Sequence, residues 1–438
     1  MLNEIGLDSI EQLFEDIPKH IRVNQLKLDS SRSQWETEKH MRSLAQKNTS
    51  CQQNLCFLGG GIKHHYIPAV VKSVLSRAEF LTAYTPYQSE ASQGFLKAMF
   101  EYQSMIAELT GMDIANCSLY DGSTGLGEAA LMATRITKRY TFLIPKNISW
   151  EKKSVLHNYT KGVNITIKEI PYDLETGKMD LKALQKLLSE NVSGVYIENP
   201  NGFGIFEDDV DSIREMTQKT NSLLLVGVDP ISLGLIKPPG EYGADIVIGE
   251  GRALGNQMDF GGSGLGLLSC KKEYLRQIPG RLIGLTKDGD GKQAFCMAMQ
   301  TREQHIRRAK ATSNICTNEG LCALAAVTYL SWLGGNGLEK LAHENYKMGQ
   351  YLAKQLEQVD FFSKPFTGTH FNECVFRSKK DVQKINKLLL TRCIYGGVPL
   401  ERWDPTLAHD MLFGVTELHT KVDIDHLVEV LKKEVKHV

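Results

Sequence analysis

Apolar residues keep two different rhythms along this chain, and the change of rhythm divides it. From about residue 120 onward, short apolar runs alternate with stretches of helical spacing. The runs predict strands at Thr141–Ile144, Val163–Ile167, Gly194–Ile197, Leu223–Val228, Asp245–Ile248 and Leu265–Ser269. A helix is predicted from Gly122 to about Ile136, and helical segments separate most of the strands. Alternation of this kind produces a mainly parallel sheet with helices on both faces. Before residue 120 the pattern is helical. Residues 1–50 read as polar helices, with Ser9 capping Ile10 to Phe14 and a charged stretch from Lys27 to Lys47. Ile67 to Leu81 is a helix candidate with Pro68 in its first turn. Ser92 opens another, on which Phe95, Met99, Tyr102, Ile106 and Leu109 recur at helical spacing until Gly111 ends it. A long helical stretch is expected from Met299 to Leu356. Beyond it, strands near Asn372–Phe376 and Met411–Val415 alternate with helices Lys380–Leu390 and Ile424–Lys433. The expected fold class is therefore α/β, a mainly parallel sheet with helices on both faces, plus a small C-terminal α+β domain. The expected boundaries are 1–60 for an N-terminal helical arm, 61–330 for the large α/β domain, and 331–438 for the small domain with its linking helix.

Composition narrows the class without changing it. Hydrophobic residues make up 42% and charged residues 23%, an ordinary globular balance. The 51 Lys plus Arg cancel the 51 Asp plus Glu, so neither nucleic acid nor an anionic membrane is an expected partner. A chain near zero net charge is prone to associate, which suits a subunit. Residues Met1 to Gln12 are acidic and amphipathic, unlike a signal peptide. The apolar run Leu321 to Leu333 is too short for a bilayer and reads as a core helix. The nine cysteines are scattered without a C-x-x-C pair, which argues for reduced thiols and a cytoplasmic location. His64-His65 has no third ligand at useful spacing, so no metal site is expected.

Candidate chemistry begins at Asp121-Gly122-Ser123-Thr124-Gly125, which opens a helix. Free N–H groups, the helix dipole and the hydroxyls of Ser123 and Thr124 make a candidate phosphate cradle, although Gly-rich helix starts are more often plain turns. Next, the apolar strand Leu223–Val228 ends in Asp229-Pro230. A strand-end Asp sits where α/β sheets place functional groups, and Asp-Pro also caps turns. The order of these features is similar to that of pyridoxal-phosphate (PLP) enzymes of the aminotransferase-like class, fold type I, in which such an Asp pairs with the pyridinium nitrogen. That class requires a lysine shortly after the Asp for the internal aldimine. The window Pro238 to Cys270 has none, and Arg252 cannot serve because a guanidinium stays protonated. Two further segments stand out. In Thr82-Ala83-Tyr84-Thr85-Pro86-Tyr87-Gln88, phenol hydroxyls flank a rigid turn. In Arg302-Glu303-Gln304-His305-Ile306-Arg307-Arg308, the charge density reads as a solvated face.

Several of these runs resemble the glycine cleavage system P-protein family. They are Gly60-Gly61-Ile62 with His65-Tyr66-Ile67-Pro68, Thr82 to Gln88, Ser92-Gln93-Gly94, Glu108 to Met112, Lys237 to Asp245, Arg302 to Arg308 and Lys310 to Thr317. Within that family the chain is most similar to the first, alpha-type chain of the two-chain bacterial form. The resemblance implies a glycine-decarboxylating enzyme built from two homologous PLP-fold chains in an α2β2 assembly. It places PLP and the Schiff-base lysine on subunit 2, and none covalently on this chain. Carbon dioxide is released and the aminomethyl group passes to the lipoyl arm of H-protein. The resemblance also implies no catalytic residue here. His65, Tyr84, Thr85, Tyr87 and Gln88 become candidates for the interface or substrate cleft, and Gly122, Ser123, Thr124 and Asp229 for a vestigial cofactor pocket. The sequence departs from the family pattern at Lys63, at Arg252–Asp259, at Gly261–Gly264 and at Gly396–Leu400. Those departures motivate the alternative, a non-catalytic homologue acting as scaffold or regulatory ligand-binding module.

Overall fold

The computed structural model describes residues 1–23, 25–51 and 53–435. It forms two compact units, Met1–Ser50 and Cys51–Val438. The first unit holds three 3-10 turns and the helix Gln34–Ala45, and none of these elements buries a residue. Capping boxes at Ser9 with Gln12 and at Ser33 with Glu36 start two of them.

The second unit is organised by a seven-stranded sheet. Its strands are β1 (Ile114–Ala115), β2 (Thr141–Pro145), β3 (Thr166–Ile170), β4 (Val192–Asn199), β5 (Leu223–Val228), β6 (Ile246–Glu250) and β7 (Gly266–Cys270). They lie in the order β1-β7-β6-β5-β4-β2-β3, and only β7 runs against its neighbours. β5 shows why the sheet forms. Every one of its residues is buried. Leu223 and Leu225 pack on one face, with Leu126 and Ala130 of helix α2, while Leu224 and Val226 pack on the other, with Leu184 and Ile213. A period of two with both faces covered is the signature of a central parallel strand.

The helices around the sheet are α1 (Gln93–Thr110), α2 (Gly122–Thr137), α3 (Trp150–Lys161), α4 (Leu181–Leu187) and α5 (Val210–Lys219). The predicted Ile67–Leu81 helix is broken into Ala69–Leu75 and Ala78–Leu81. The predicted Val163–Ile167 strand moves to β3. Asn164, at φ +56°, ends the turn after α3, and the sheet-edge strand is built from exposed Thr166, Lys168 and Glu169. The apolar run there marked a turn, because an edge strand needs few buried residues.

After β7 comes a hairpin that the apolar pattern did not predict, β8 (Leu282–Lys287) paired antiparallel with β9 (Gln293–Ala298). Asp288 closes it by accepting from the Asp290 and Lys292 amides, each at 2.9 Å. Residues 300–319 are short 3-10 and helical turns and coil, so the long helix α6 begins only at Gly320 and runs to Leu356. Gly334, at φ +64°, breaks it internally. By length and composition α6 resembles a membrane span, but Ala323, Ala325, Ala326 and Tyr329 are buried in a core with Tyr102 and Ile106 of α1.

The small domain is a four-stranded antiparallel sheet, β10 (Phe362–Ser363), β11 (Glu373–Ser378), β12 (Val398–Pro399) and β13 (Asp410–Gly414), in the order β10-β11-β13-β12. Helices α7 (Val382–Thr391) and α8 (Lys421–Glu434) cover it. The chain's own residues Leu55–Cys56 pair with Ile394–Tyr395, and Phe57 is buried in the small-domain core. Residues 55–57 therefore belong structurally with the C-terminal domain, and the segment that follows them, 58–66, stays bonded to that domain through Gly59, Gly60, His65 and Tyr66 while Lys63 faces Asp229 at the end of β5.

Candidate functional site

The carboxyl ends of β4, β5 and β6 open into a cleft of roughly 200 Å³, closed on its far side by Glu373 of β11 and by Gly60 to Ile62. Ligands of parallel α/β sheets bind at this edge. Gly122, Ser123, Asp229 and His65 line the cleft, so the structure brings these four sequence-predicted residues together. Thr124 does not reach it. Its hydroxyl accepts from the Asp121 amide at 3.1 Å and its amide donates to Asp121 Oδ1 at 2.7 Å, a reciprocal cap on α2.

The amide of Gly122, at the start of α2, donates to Glu250 Oε2 at 3.0 Å. Glu250 ends β6, and its other oxygen accepts from the amides of Arg252 and Leu265, each at 3.0 Å. Two carboxylates, Asp121 and Glu250, thus cover the positive end of the helix. A Cβ at Gly122 would stand 3.2 Å from the Glu250 backbone nitrogen, a tight fit that favours glycine.

At the other end of the cleft is Asp229. Its Oδ1 accepts from the Ile231 amide at 2.9 Å, the turn-capping role that Asp-Pro favours. Its Oδ2 faces Lys63, whose Nζ lies 3.8 Å away. The same Nζ is 3.5 Å from Glu373 Oε1, which accepts from the amides of Gly60 at 2.6 Å and Gly61 at 3.0 Å. The Lys63 side chain is only 3% exposed and its Nζ has no hydrogen-bond partner among the described residues. Lys63 and Glu373 are 310 positions apart, and no local signal in the sequence links them.

A second lysine reaches the cleft. Lys152 of α3 lies 2.5 Å from Glu198 Oε1, which also accepts from the Tyr196 hydroxyl at 2.7 Å. Burial works against the Lys152 charge, but the Glu198 carboxylate outweighs it and raises the pKa above its ordinary value. Lys152 is a protonated ion-pair partner and not a free amine. Sequence reading marked Lys63 only as a departure from the family pattern and missed Lys152, Glu198, Glu250 and Glu373, because each is an unremarkable charged residue until the fold assembles the cleft.

The remaining predicted residues lie elsewhere. Tyr84 and Tyr87 are 72% and 77% exposed, while Thr85 is buried and held by the Arg281 guanidinium. Gln88 is exposed, and its carbonyl closes the turn by accepting from the Ala91 and Ser92 amides. This loop is a surface feature anchored through Thr85, and it does not line the cleft. In the charged run, Arg302 bonds the carbonyls of Ile278 and Gly280, so it fastens a turn, while Arg307 and Arg308 are exposed. Between α2, α3 and residues 308–315 lies a larger hollow of roughly 850 Å³, floored by Glu128 and Arg135. Among the described residues no group of three or more His, Cys, Asp or Glu is placed to hold a metal ion.

The cleft residues do not fit PLP. A phosphate dianion would need the α2 N-terminus, where Glu250 and Asp121 already stand. A pyridinium would need Asp229, which already faces an ammonium. The volume also lies below the roughly 300 Å³ at which small-molecule pockets begin.

Comparison with known proteins agrees with this architecture. The family model for the glycine cleavage system P-protein matches residues 1–431. A probable glycine dehydrogenase (decarboxylating) subunit 1 from Thermococcus onnurineus is 47% identical over 435 residues, covering 99% of this chain and 96% of that protein. One of the same name from Desulfitobacterium hafniense is 46% identical over 429 residues, covering 98% and 96%. Among solved structures, a glycine decarboxylase (P-protein) of the glycine cleavage system in inhibitor-bound form matches with TM-score 0.89 and 39% identity, covering 99% of this chain and 97% of that one. A sphingosine-1-phosphate lyase from Burkholderia pseudomallei matches with TM-score 0.69 at 13% identity, covering 95% and 94%, a likeness of fold alone.

Proposed function

The chain belongs to the glycine cleavage system P-protein family, and from that membership we propose that it is the cofactor-free half of a glycine-decarboxylating enzyme. Relatives of nearly the same length are named subunit 1 of glycine dehydrogenase (decarboxylating), and a numbered subunit implies another chain. In the proposal, subunit 2 carries the PLP and the Schiff-base lysine, and the two chains pair as α2β2. Glycine loses carbon dioxide, and its aminomethyl group passes to the lipoyl arm of H-protein. The PLP supplies the electron sink for that decarboxylation. This chain completes the assembly from its surface, and its exposed Tyr84 and Tyr87 are the residues assigned to that contact. A cytoplasmic location is part of the same reading, supported by scattered free thiols such as exposed Cys51, Cys316 and Cys393.

One observation carries the reading. A chain matched to the family from residue 1 to residue 431 has a cofactor cleft whose two charged ends are filled by its own Glu250 and Lys63. The test is exchange of labelled bicarbonate into the carboxyl of glycine, measured with the chain, a subunit 2 and lipoylated H-protein, together and with each omitted. Exchange only in the complete mixture is expected. No exchange from a well-formed complex overturns the proposal. Under the alternative, subunit 2 exchanges without the chain: a scaffold homologue leaves that exchange unchanged, and a regulatory homologue alters its rate without being required for it.

A further inference from the structure

We infer that Glu250 and Lys63 are built-in stand-ins for the two charged ends of a pyridoxal-type ligand, and that they keep this cleft closed to any such molecule. At the α2 end, an anion-binding helix terminus is matched by an anion, but a covalently attached one. Glu250 accepts from three amides, those of Gly122, Arg252 and Leu265, at 3.0 Å each. Only the Gly122 amide belongs to the helix terminus; there Glu250 takes the charge-assisted bond that a phosphate oxygen would take, and the Arg252 and Leu265 amides hold the carboxylate in place. At the β5 end, Asp229 is matched by a cation. The buried Lys63 ammonium, 3.8 Å from Oδ2 and 3.5 Å from Glu373, supplies the positive charge beside Asp229 that a protonated ring nitrogen would otherwise supply.

The charges around the cleft act in the same sense. Glu151, Glu198, Asp229, Glu250 and Glu373 line it, and against them stand Lys152 and the buried Lys63. A dianionic phosphate entering here meets a surplus of carboxylates in a partly buried site, where charge interactions are screened little. The pair also does mechanically what a bound cofactor does. Lys63 ties the segment after Phe57 to the large sheet through Asp229 and to the small domain through Glu373. Glu250 ties β6 to the start of α2 and to Leu265.

The inference concerns this chain alone and goes beyond the subunit assignment. A chain that binds the analogue below yet supports exchange sinks only the inference. A chain that excludes the analogue yet supports no exchange sinks only the assignment.

The experiment uses deoxypyridoxine phosphate, which has the ring nitrogen and the phosphate but no aldehyde, so surface lysines cannot form adducts with it. Titration calorimetry on the purified full chain is expected to show no saturable binding, whereas Lys63→Ala/Glu250→Ala binds one equivalent. That variant should prefer the phosphorylated analogue over deoxypyridoxine by about ten- to hundred-fold, the worth of one or two charge-assisted hydrogen bonds. One-to-one binding by the unaltered chain overturns the inference. So does absence of any gain in a double variant that keeps the parent's near-ultraviolet circular dichroism. If the double variant does not fold, Glu250→Ala alone is titrated with inorganic phosphate. Saturable binding absent from the parent supports the inference, and no binding overturns it.

Discussion

His65 Nδ1 lies 3.0 Å from Glu417 Oε2, and this contact joins the wall of the cleft to the small domain. Glu417 also accepts from the Tyr66 amide at 2.7 Å and from Asn345 Nδ2 of α6 at 3.0 Å. Two positions earlier, Lys63 makes the parallel connection to Glu373. Lys63 and His65 are buried while His64 and Tyr66 are not, so alternate residues of one segment face two carboxylates of the small domain. Charged side chains on a short stretch of chain thus add two links to the small domain beside the apolar contact of Phe203 and Ile205 with Phe366, Val375 and Leu412.

That arrangement makes stability depend on acid. Burial pushes the Glu417 carboxyl up, but the His65 bond and charge, the Tyr66 amide and Asn345 outweigh it and hold the pKa at about 2, below its ordinary 4.5. A depressed carboxylate contributes its stabilisation above its unfolded pKa and loses it as pH falls through the folded one. The contribution should thus be complete above about pH 4.5 and vanish toward about pH 2, and it is on the order of 3 kcal/mol. Glu417→Gln is expected to lower neutral-pH stability by most of that amount and to flatten the acid limb. Urea unfolding of both proteins across this range checks it. Two parallel stability curves offset by a constant would show that the charge is not the cause.

Glycine at position 227 is required by a neighbour. A Cβ on Gly227 would stand 2.1 Å from the Tyr196 hydroxyl, which donates to Glu198. Gly227→Ala should displace that ring and cost about 2–3 kcal/mol from overpacking and the lost hydrogen bond. Adding Tyr196→Phe removes the oxygen at 2.1 Å but leaves the ring Cζ at 2.9 Å, so the double variant should recover part of the loss, about 1 kcal/mol relative to Gly227→Ala. Chemical denaturation of the two singles and the double gives the coupling. Simple additivity would mean that the strand, and not Tyr196, bears the strain.

How far the fold is legible in the sequence varies with how local its causes are. β5 is read to the residue because both of its faces are buried and its whole length is apolar. β3 is displaced because an edge strand carries Thr166, Lys168 and Glu169 in place of an apolar run. The β8–β9 hairpin had a signal, Asp288-Gly289-Asp290-Gly291, to which the sequence reading assigned no element. The stretch 300–319 reads as helix because its residues favour helices, yet Arg302 is committed to the carbonyls of Ile278 and Gly280 and holds it in turns. At the site, Gly122, Ser123 and Asp229 were legible from strand-end and helix-start patterns. Glu250 was not, and Lys63 stood out only as a departure from the family pattern, with no partner assigned to it. Glu250 is 128 positions from Gly122, and Lys63 is 310 from Glu373.

Ser313 is the predicted fastener of the segment over the large hollow. Its hydroxyl donates to Glu128 Oε1 at 2.8 Å, while Glu128 Oε2 is buried without a hydrogen-bond partner among the described residues. Burial raises the Glu128 pKa, and the Ser313 bond and the Arg135 charge offset part of that. Ser313→Ala leaves both oxygens unsatisfied at a cost of about 1–2 kcal/mol. The loss should be local, since residues 305–310 are exposed. Limited trypsin digestion should cut faster after Arg307, Arg308 and Lys310, by about ten-fold, with little change in the midpoint of global unfolding. Unchanged cleavage would show that Ser313 does not restrain the segment.

The tyrosines at 84 and 87 make the sharpest separation between folding and association. Their rings are exposed, with centroids 6.5 Å apart, on a turn whose anchor is buried Thr85 in the grip of Arg281. Rigid, exposed aromatic side chains are the residues most enriched among interface hot spots. Removing them takes little from the folded chain, because Tyr84 has only a 3.4 Å contact to the Thr317 hydroxyl. Tyr84→Ala/Tyr87→Ala is therefore expected to unfold within about 0.5 kcal/mol of the parent. Its affinity for subunit 2 should fall by at least about ten-fold, or about 1.4 kcal/mol. Analytical ultracentrifugation of the mixed chains measures that affinity, and glycine–bicarbonate exchange at limiting chain should fall in proportion. Thr85→Ala is the contrast. It frees Arg281 and loosens the turn, so it should reduce both stability and association. Full affinity in the double tyrosine variant would move the interface away from this loop, whereas loss of affinity together with stability would make the loop a folding element.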